Sequence, residues 1–126
     1  MTDVEAVLDT VARYCQLCDD GRFEEWAELF SDDAEFAVMG QVHRGPAAIR
    51  DFISAAMGPE ARGRHITANP VVEVDGDTAT TSIDYLFVKG AGASFQVINV
   101  GRYNDVLVRD GDRWLFAKRS ITMLGS

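Results

Sequence analysis

The stretch His65–Lys89, HITANPVVEVDGDTATTSIDYLFVK, reads as two strands folded back on one turn. β-Branched and aromatic residues crowd both flanks, and Asp75-Gly76-Asp77 supplies turn chemistry between them. His65–Val74 and Thr78–Lys89 are therefore expected to lie antiparallel. The pattern continues downstream. Gly90-Ala91-Gly92-Ala93 reads as a loop, Phe95–Arg109 as a long strand, Asp110-Gly111-Asp112 as another turn and Trp114–Met123 as the closing strand. The second half of the chain is thus a meander of four strands. Strict alternation puts Trp114 and Phe116 on one face of the last strand. It puts Leu115, Ala117, Arg119, Ile121 and Met123 on the other.

Upstream, the period changes from two to 3.6. Thr2 and Glu5 match a capping box, and Val4, Val7, Leu8, Val11, Ala12, Cys15 and Cys18 recur at helical spacing. At about 100° per residue, Asp19 falls within about 60° of the centre of that apolar face, while Asp20 points nearly opposite and joins Gly21 in a turn. A second helix is expected with Phe23, Trp26, Ala27, Leu29 and Phe30 apolar, ended by Ser31-Asp32-Asp33. Ala34–Met39 alternates as a strand closed by Gly40. Gly45-Pro46 opens a third helix with the stripe Ile49, Phe52, Ile53, Ala56 and Met57, and Gly58-Pro59 stops it. Helices on one side of an antiparallel sheet make an α+β domain, here a single one over residues 1–126. Three helices cover one sheet face. The other face, also apolar, is expected to meet a second copy in a homodimer.

Composition narrows the partners. The 126 residues carry 20 acidic and 12 basic side chains, for a net charge of −8. That balance disfavours phosphate backbones and anionic membrane surfaces, so neither nucleic acid nor membrane is expected as a partner. Cys15 and Cys18 read as small apolar core residues, since a redox pair needs a helix N-terminus to lower a thiol pKa and this pair sits late in a helix. No basic, apolar leader opens the chain and no apolar run reaches membrane-spanning length, which makes the cytoplasm the expected location. Two distant histidines form no metal-ligand pattern, and no glycine-rich phosphate motif precedes a helix. Neither a metal nor an organic cofactor is expected.

The order of elements, together with local marks, resembles the SnoaL-like branch of the nuclear transport factor 2-like superfamily. Those marks are Tyr14 and Asp19 before the first turn, Leu29–Ala34, His43-Arg44-Gly45 through Phe52, and His65-Ile66-Thr67-Ala68-Asn69-Pro70. Gly101-Arg102-Tyr103-Asn104-Asp105 and Gly111-Asp112-Arg113-Trp114 with Arg119 complete the set. The resemblance implies a cystatin-like α+β barrel: three N-terminal helices on a strongly curved, mostly antiparallel sheet, forming a cone with one internal pocket. Scytalone dehydratase, the hexachlorocyclohexane dehydrochlorinase and the bile-acid dehydratase have an Asp and a His at the positions of Asp19 and His65. The last also has a Tyr at the position of Tyr14. Nothing here matches the second active-site His of scytalone dehydratase.

These residues suit proton transfer. A neutral His acts as a base near pH 7, a buried Asp fixes its tautomer, and a phenol steadies negative charge on a substrate oxygen. From the residues alone, an inward Asp paired with His reads also as a satisfied buried acid that holds helix to sheet; the resemblance implies catalytic roles for His65, Asp19 and Tyr14. Trp26, Phe30, Phe36, Phe52, Tyr85, Asn99, Tyr103 and Arg119 are expected around the substrate. Arg119 can anchor a substrate carboxylate but reads first as a partner of Asp105 or Asp84, Asp84 reads as a solvent-facing strand residue rather than a second pocket acid, and His43 reads as a solvated loop residue. The expected function is a lyase or isomerase for a small apolar, oxygen-bearing ring compound. The alternative is a non-catalytic ligand-binding or assembly module.

Overall fold

The computed structural model describes residues 1–125. Helix α1 spans Asp3–Asp19 and starts on a complete capping box. The Glu5 amide donates to Thr2 Oγ1 at 3.1 Å and the Thr2 amide to Glu5 Oε1 at 2.9 Å. Its buried face carries Val7, Val11, Tyr14, Cys15, Cys18 and Asp19, while Asp20 is exposed. Val4 and Ala12 lie off the centre of that face and stay exposed. Thr10 ties the helix to the sheet, donating to the Trp114 carbonyl at 2.7 Å.

Helix α2 (Phe23–Ala27) ends earlier than its apolar spacing suggests, because Phe30 opens strand β1 (Phe30–Val38) and pairs with Phe116. Strand pairing overrides the local helical pattern there. Strand β2 (Gln41–Arg44) is an element that the sequence reading treats as loop. Helix α3 (Pro46–Ala56), with Pro at its start, is followed by a 3₁₀ turn at Pro59–Ala61. Four strands complete the chain: β3 (Arg64–Asp75), β4 (Thr78–Ala91), β5 (Ser94–Asp110) and β6 (Arg113–Met123).

The six strands form one sheet in the order β2-β1-β6-β5-β4-β3. All neighbours are antiparallel except β1 and β6, which run parallel. The α+β class is as expected, but the sheet stays open, with β2 and β3 as its edges, rather than closing into a barrel. Register shifts at Ala68/Val71, Phe87/Val88 and Val106/Leu107 supply local bends.

One of these shifts corrects the face assignment of β6. Val106 pairs with Lys118 and Leu107 with Phe116, so Ala117 is left over as a bulge. One extra residue reverses the alternation beyond it. Arg119 therefore joins Trp114 and Phe116 inside, where all three are buried. Its guanidinium is fully enclosed. It donates to Asp105 through Nε at 2.8 Å and Nη2 at 3.0 Å, and Thr81 Oγ1 adds a 2.5 Å bond to the same carboxylate. The cation lies over the rings of Tyr103 (3.7 Å), Tyr14 (4.2 Å) and Phe116 (4.4 Å). A buried cation thus gains both a bidentate anion and three aromatic faces.

Candidate functional site

Asp19 is the last residue of α1, and its side chain is 4% exposed. His65 lies at the start of β3 and meets it twice. The His65 amide donates to Asp19 Oδ2 at 2.9 Å, and ring Nδ1 lies 2.6 Å from Oδ1. An ionised carboxylate only accepts, so Nδ1 carries the proton in this pair and Nε2 holds the lone pair of the neutral ring. The imidazole rests on Phe87, with ring centroids 4.6 Å apart.

His65 opens onto a cavity of about 330 Å³. Tyr14, Phe36, Phe52, Tyr85, Asn99 and Tyr103 share its wall. Three other residues expected around a substrate lie a layer behind. Trp26 packs on Tyr14 at 5.3 Å, Phe30 packs on Trp26 at 4.8 Å, and Arg119 sits beneath the tyrosines. Arg119 takes the pairing with Asp105. Asp84 faces the opposite side of the sheet, where Arg102 and Asn69 donate to it at 2.7 and 3.0 Å. Those bonds hold its carboxyl below its ordinary range, Arg102 contributing most.

Burial pushes the phenol of Tyr14 far above its ordinary range, against the opposing pull of Arg119. Tyr103 is raised in the same way, and burial also raises Tyr85. All three wall tyrosines therefore stay protonated, so each keeps an O–H available to donate. Tyr85 and Tyr103 stack at 4.5 Å with 13° between their planes. Gly101 makes room for this. A Cβ there would lie 2.9 Å from Tyr85 Oη and 2.5 Å from the Thr122 carbonyl.

His43 is not a solvated loop residue. It sits on β2, stacks on Phe52 at 4.1 Å and buries Nε2 without a hydrogen-bond partner. Sequence reasoning missed Met39, Lys89 and Ile98, which also line the cavity. Lys89 Nζ donates to the Glu60 carbonyl at 2.5 Å, joining β4 to the 3₁₀ turn. Only the Met39-Gly40 turn signal marks any of these three in sequence.

Among the described residues, no three or more His, Cys, Asp or Glu side chains gather closely enough to hold a metal ion. No helix among them is long and apolar enough to cross a membrane. A wider groove of about 780 Å³ lies over the outer sheet face, lined by Ile66, Leu86, Val100 and Leu124 with Asp84 and Arg102. We place the site in the smaller cavity because the dyad's imidazole opens into it.

Residues 1–120 match the SnoaL-like domain family. The chain belongs to that family. An uncharacterized protein of Mycobacterium tuberculosis, Rv2910c, is 30% identical over 110 residues, covering 84% of this chain and 75% of the relative. Among solved structures, a Mycobacterium tuberculosis protein of unknown function, Rv3472, superposes with a TM-score of 0.89 at 30% identity, over 96% of this chain and 71% of that one. An NTF2-like protein with a cystatin-like fold from Novosphingobium aromaticivorans gives 0.86 at 30% identity, over 98% and 84%. A putative scytalone dehydratase from the same organism gives 0.82 at 21% identity, over 98% and 88%, a likeness of fold alone. This SnoaL-like family holds dehydratases, isomerases and non-catalytic members, so membership fixes the scaffold and leaves the chemistry to the site.

Proposed function

We propose that this SnoaL-like protein is a cofactor-independent lyase or isomerase for a small apolar ring compound bearing a carbonyl or hydroxyl group. One observation carries the reading: His65 faces the cavity while its partner Asp19 is sealed behind it. A dyad serving only to hold helix to sheet has no need of an open side.

His65 Nε2 takes a proton from the carbon beside the activating oxygen. The Nδ1 proton stays on the Asp19 bond, and the carboxylate steadies the imidazolium. Tyr14 donates to the substrate oxygen on which negative charge grows. In elimination, the departing hydroxyl takes the proton from His65 Nε2 and leaves as water, which returns the ring to its neutral form. In isomerisation, His65 returns the proton to another carbon of the same system. Neither course changes the oxidation state overall, so the residues present suffice for it.

The test is a turnover screen of ring ketones and hydroxy-ketones, followed by His65→Asn. As general base, His65 contributes roughly two to four orders of magnitude in kcat. A variant that melts early yet retains full activity per folded molecule would leave the non-catalytic binding module as the standing reading.

A further inference from the structure

The turn joining β1 to β2 carries an unsuitable residue for its shape. Met39 and Gly40 both have positive φ, 51° and 75°. Such a pair suits Asn-Gly, and a long side chain in the first position is strained. Met39 also leaves its side chain wet, at 70% exposure. Neither property helps the chain fold. Yet Met39 lines the mouth of the cavity, together with Met57 and with Ile98, itself 49% exposed.

The far end of the sheet shows the unburdened alternative. Asp75-Gly76-Asp77 and Asp110-Gly111-Asp112 give the left-handed position to glycine, with φ of 61° and 64°, and set carboxylates beside it. Because β1 runs parallel to β6, the end of β1 at Val38 lies near Ser120 and away from the Asp110–Asp112 turn. The strained methionine is thus at the cavity end, and the acidic turns are at the other.

We propose that Met39 is a specificity-determining residue, its thioether folding over the apolar part of a bound ring compound. Methionine suits this role because its unbranched, polarizable side chain adapts to irregular apolar surfaces. Backbone strain kept beside a cavity is consistent with a contact that matters more than the turn's own stability. The inference rests on the pocket reading above and adds a substrate class. A single ring beside His65 fills only part of the cavity, so a contact at Met39 selects fused or linked rings that reach the mouth.

The test compares two neutral ketones. The fluorescent naphthyl ketone 6-propionyl-2-(dimethylamino)naphthalene is long enough to reach the mouth, and cyclohex-2-enone is not. Dissociation constants come from fluorescence and NMR titrations of the native protein, Met39→Asn and Met39→Leu. Met39→Asn is expected to weaken the naphthyl ketone about tenfold and leave cyclohexenone unchanged. Its thermal midpoint should hold or rise, since Asn tolerates the left-handed region. Met39→Leu should restore the naphthyl affinity. Unchanged naphthyl affinity in Met39→Asn, equal loss of both ketones, or a lower midpoint would overturn the proposal. If the native protein binds neither ketone, the pocket reading falls and this one with it. If it binds the naphthyl ketone and Met39→Asn binds it equally, only the role of Met39 falls.

Discussion

Asp19 occupies a place where a helix least favours a carboxylate. The C-terminus of α1 carries the negative end of the helix dipole even though the amides of Asp20, Gly21 and Arg22 bond its last carbonyls, and Asp20 follows directly. Two donors from His65 offset that cost. Asp19→Asn keeps the shape but offers an amide N–H where an acceptor stood. If that amide turns its N–H to Nδ1, the imidazole must hold its proton on Nε2 and cannot act as a base. The expected result is a kcat loss of roughly two to four orders of magnitude with little change in KM. Nitrogen NMR of the imidazole should show the exchanged tautomer. Full turnover in a variant with that tautomer would end the proton-transfer scheme. Arg119 raises a different question, that of a fully buried cation. Arg119→Met leaves Asp105 charged and enclosed, which costs about 3–5 kcal/mol by urea titration. Adding Asp105→Leu should recover much of that loss, because the orphaned charge goes too. No recovery in the double variant would show that ring contacts, not the ion pair, dominate.

At the scale of elements, the bends of the sheet do as much for the cavity as its side chains do. Gly101 lets β5 pass close to Tyr85, which lies flat on Tyr103. Gly101→Ala forces either the β5–β6 pairing or the Tyr85 ring to shift. A loss of about 1–3 kcal/mol in stability is expected, with altered tyrosine fluorescence. An unchanged melting curve would mean that the strand has slack. The bulge at Ala117 explains where sequence reading stops. The Asp-Gly-Asp turns and the capping box depend on chemistry within four residues, and the opposite fates of Asp19 and Asp20 on the phase of one helix, and these were legible. The inward position of Arg119 depends on which residue of β5 faces Ala117, a pairing across the sheet that alternation cannot reveal. Strand β2 escaped for the same reason, since four residues gain strand form only by pairing with β1. The dyad was legible through a family likeness, whereas spacing alone left 46 residues between its members. Trp26 and Phe30 share the apolar character of the wall, and nothing local tells a first layer from a second.

At the scale of the molecule, the outer sheet face exposes Ile66, Val100, Val106 and Leu124 around the Asp84–Arg102 pair. This face is proposed to mate with a second copy. In a two-fold contact one patch meets itself, and Asp84 and Arg102 offer opposite charges that can exchange partners across the axis. Light scattering at micromolar concentration should give a dimer, and Val100→Glu a folded monomer. A native monomer under those conditions would exclude the contact. The interior also sets a pH limit. Burial pushes the thiol of Cys15 up to about 11 and that of Cys18 to about 12, and Tyr14 and Tyr103 are raised as well. These acids hold protons in the folded state that the unfolded chain releases sooner. Their contribution is fully present below their unfolded range, about pH 8.5–10, and is lost as pH climbs through 11–12. Thermal midpoints should therefore fall above about pH 9, and a disulfide thiol reagent at pH 8 should react only as the chain opens. Rapid labelling of both cysteines in folded protein would contradict this burial.

The open sheet has a further consequence, for solubility. A sheet that does not close leaves β3 as an edge with no further strand to pair with beyond the His65 amide that Asp19 takes, next to apolar Ile66 and Val71, both exposed. Such an edge invites edge-to-edge growth with other chains. The interruption at Asn69-Pro70 breaks it. Asn69 turns the backbone into the left-handed region and Pro70 has no amide hydrogen to offer, so no straight template longer than about six residues remains. The irregularity that sets Asn69 and Pro70 opposite the single residue Ile83 is thus expected to act as a gatekeeper against fibre formation.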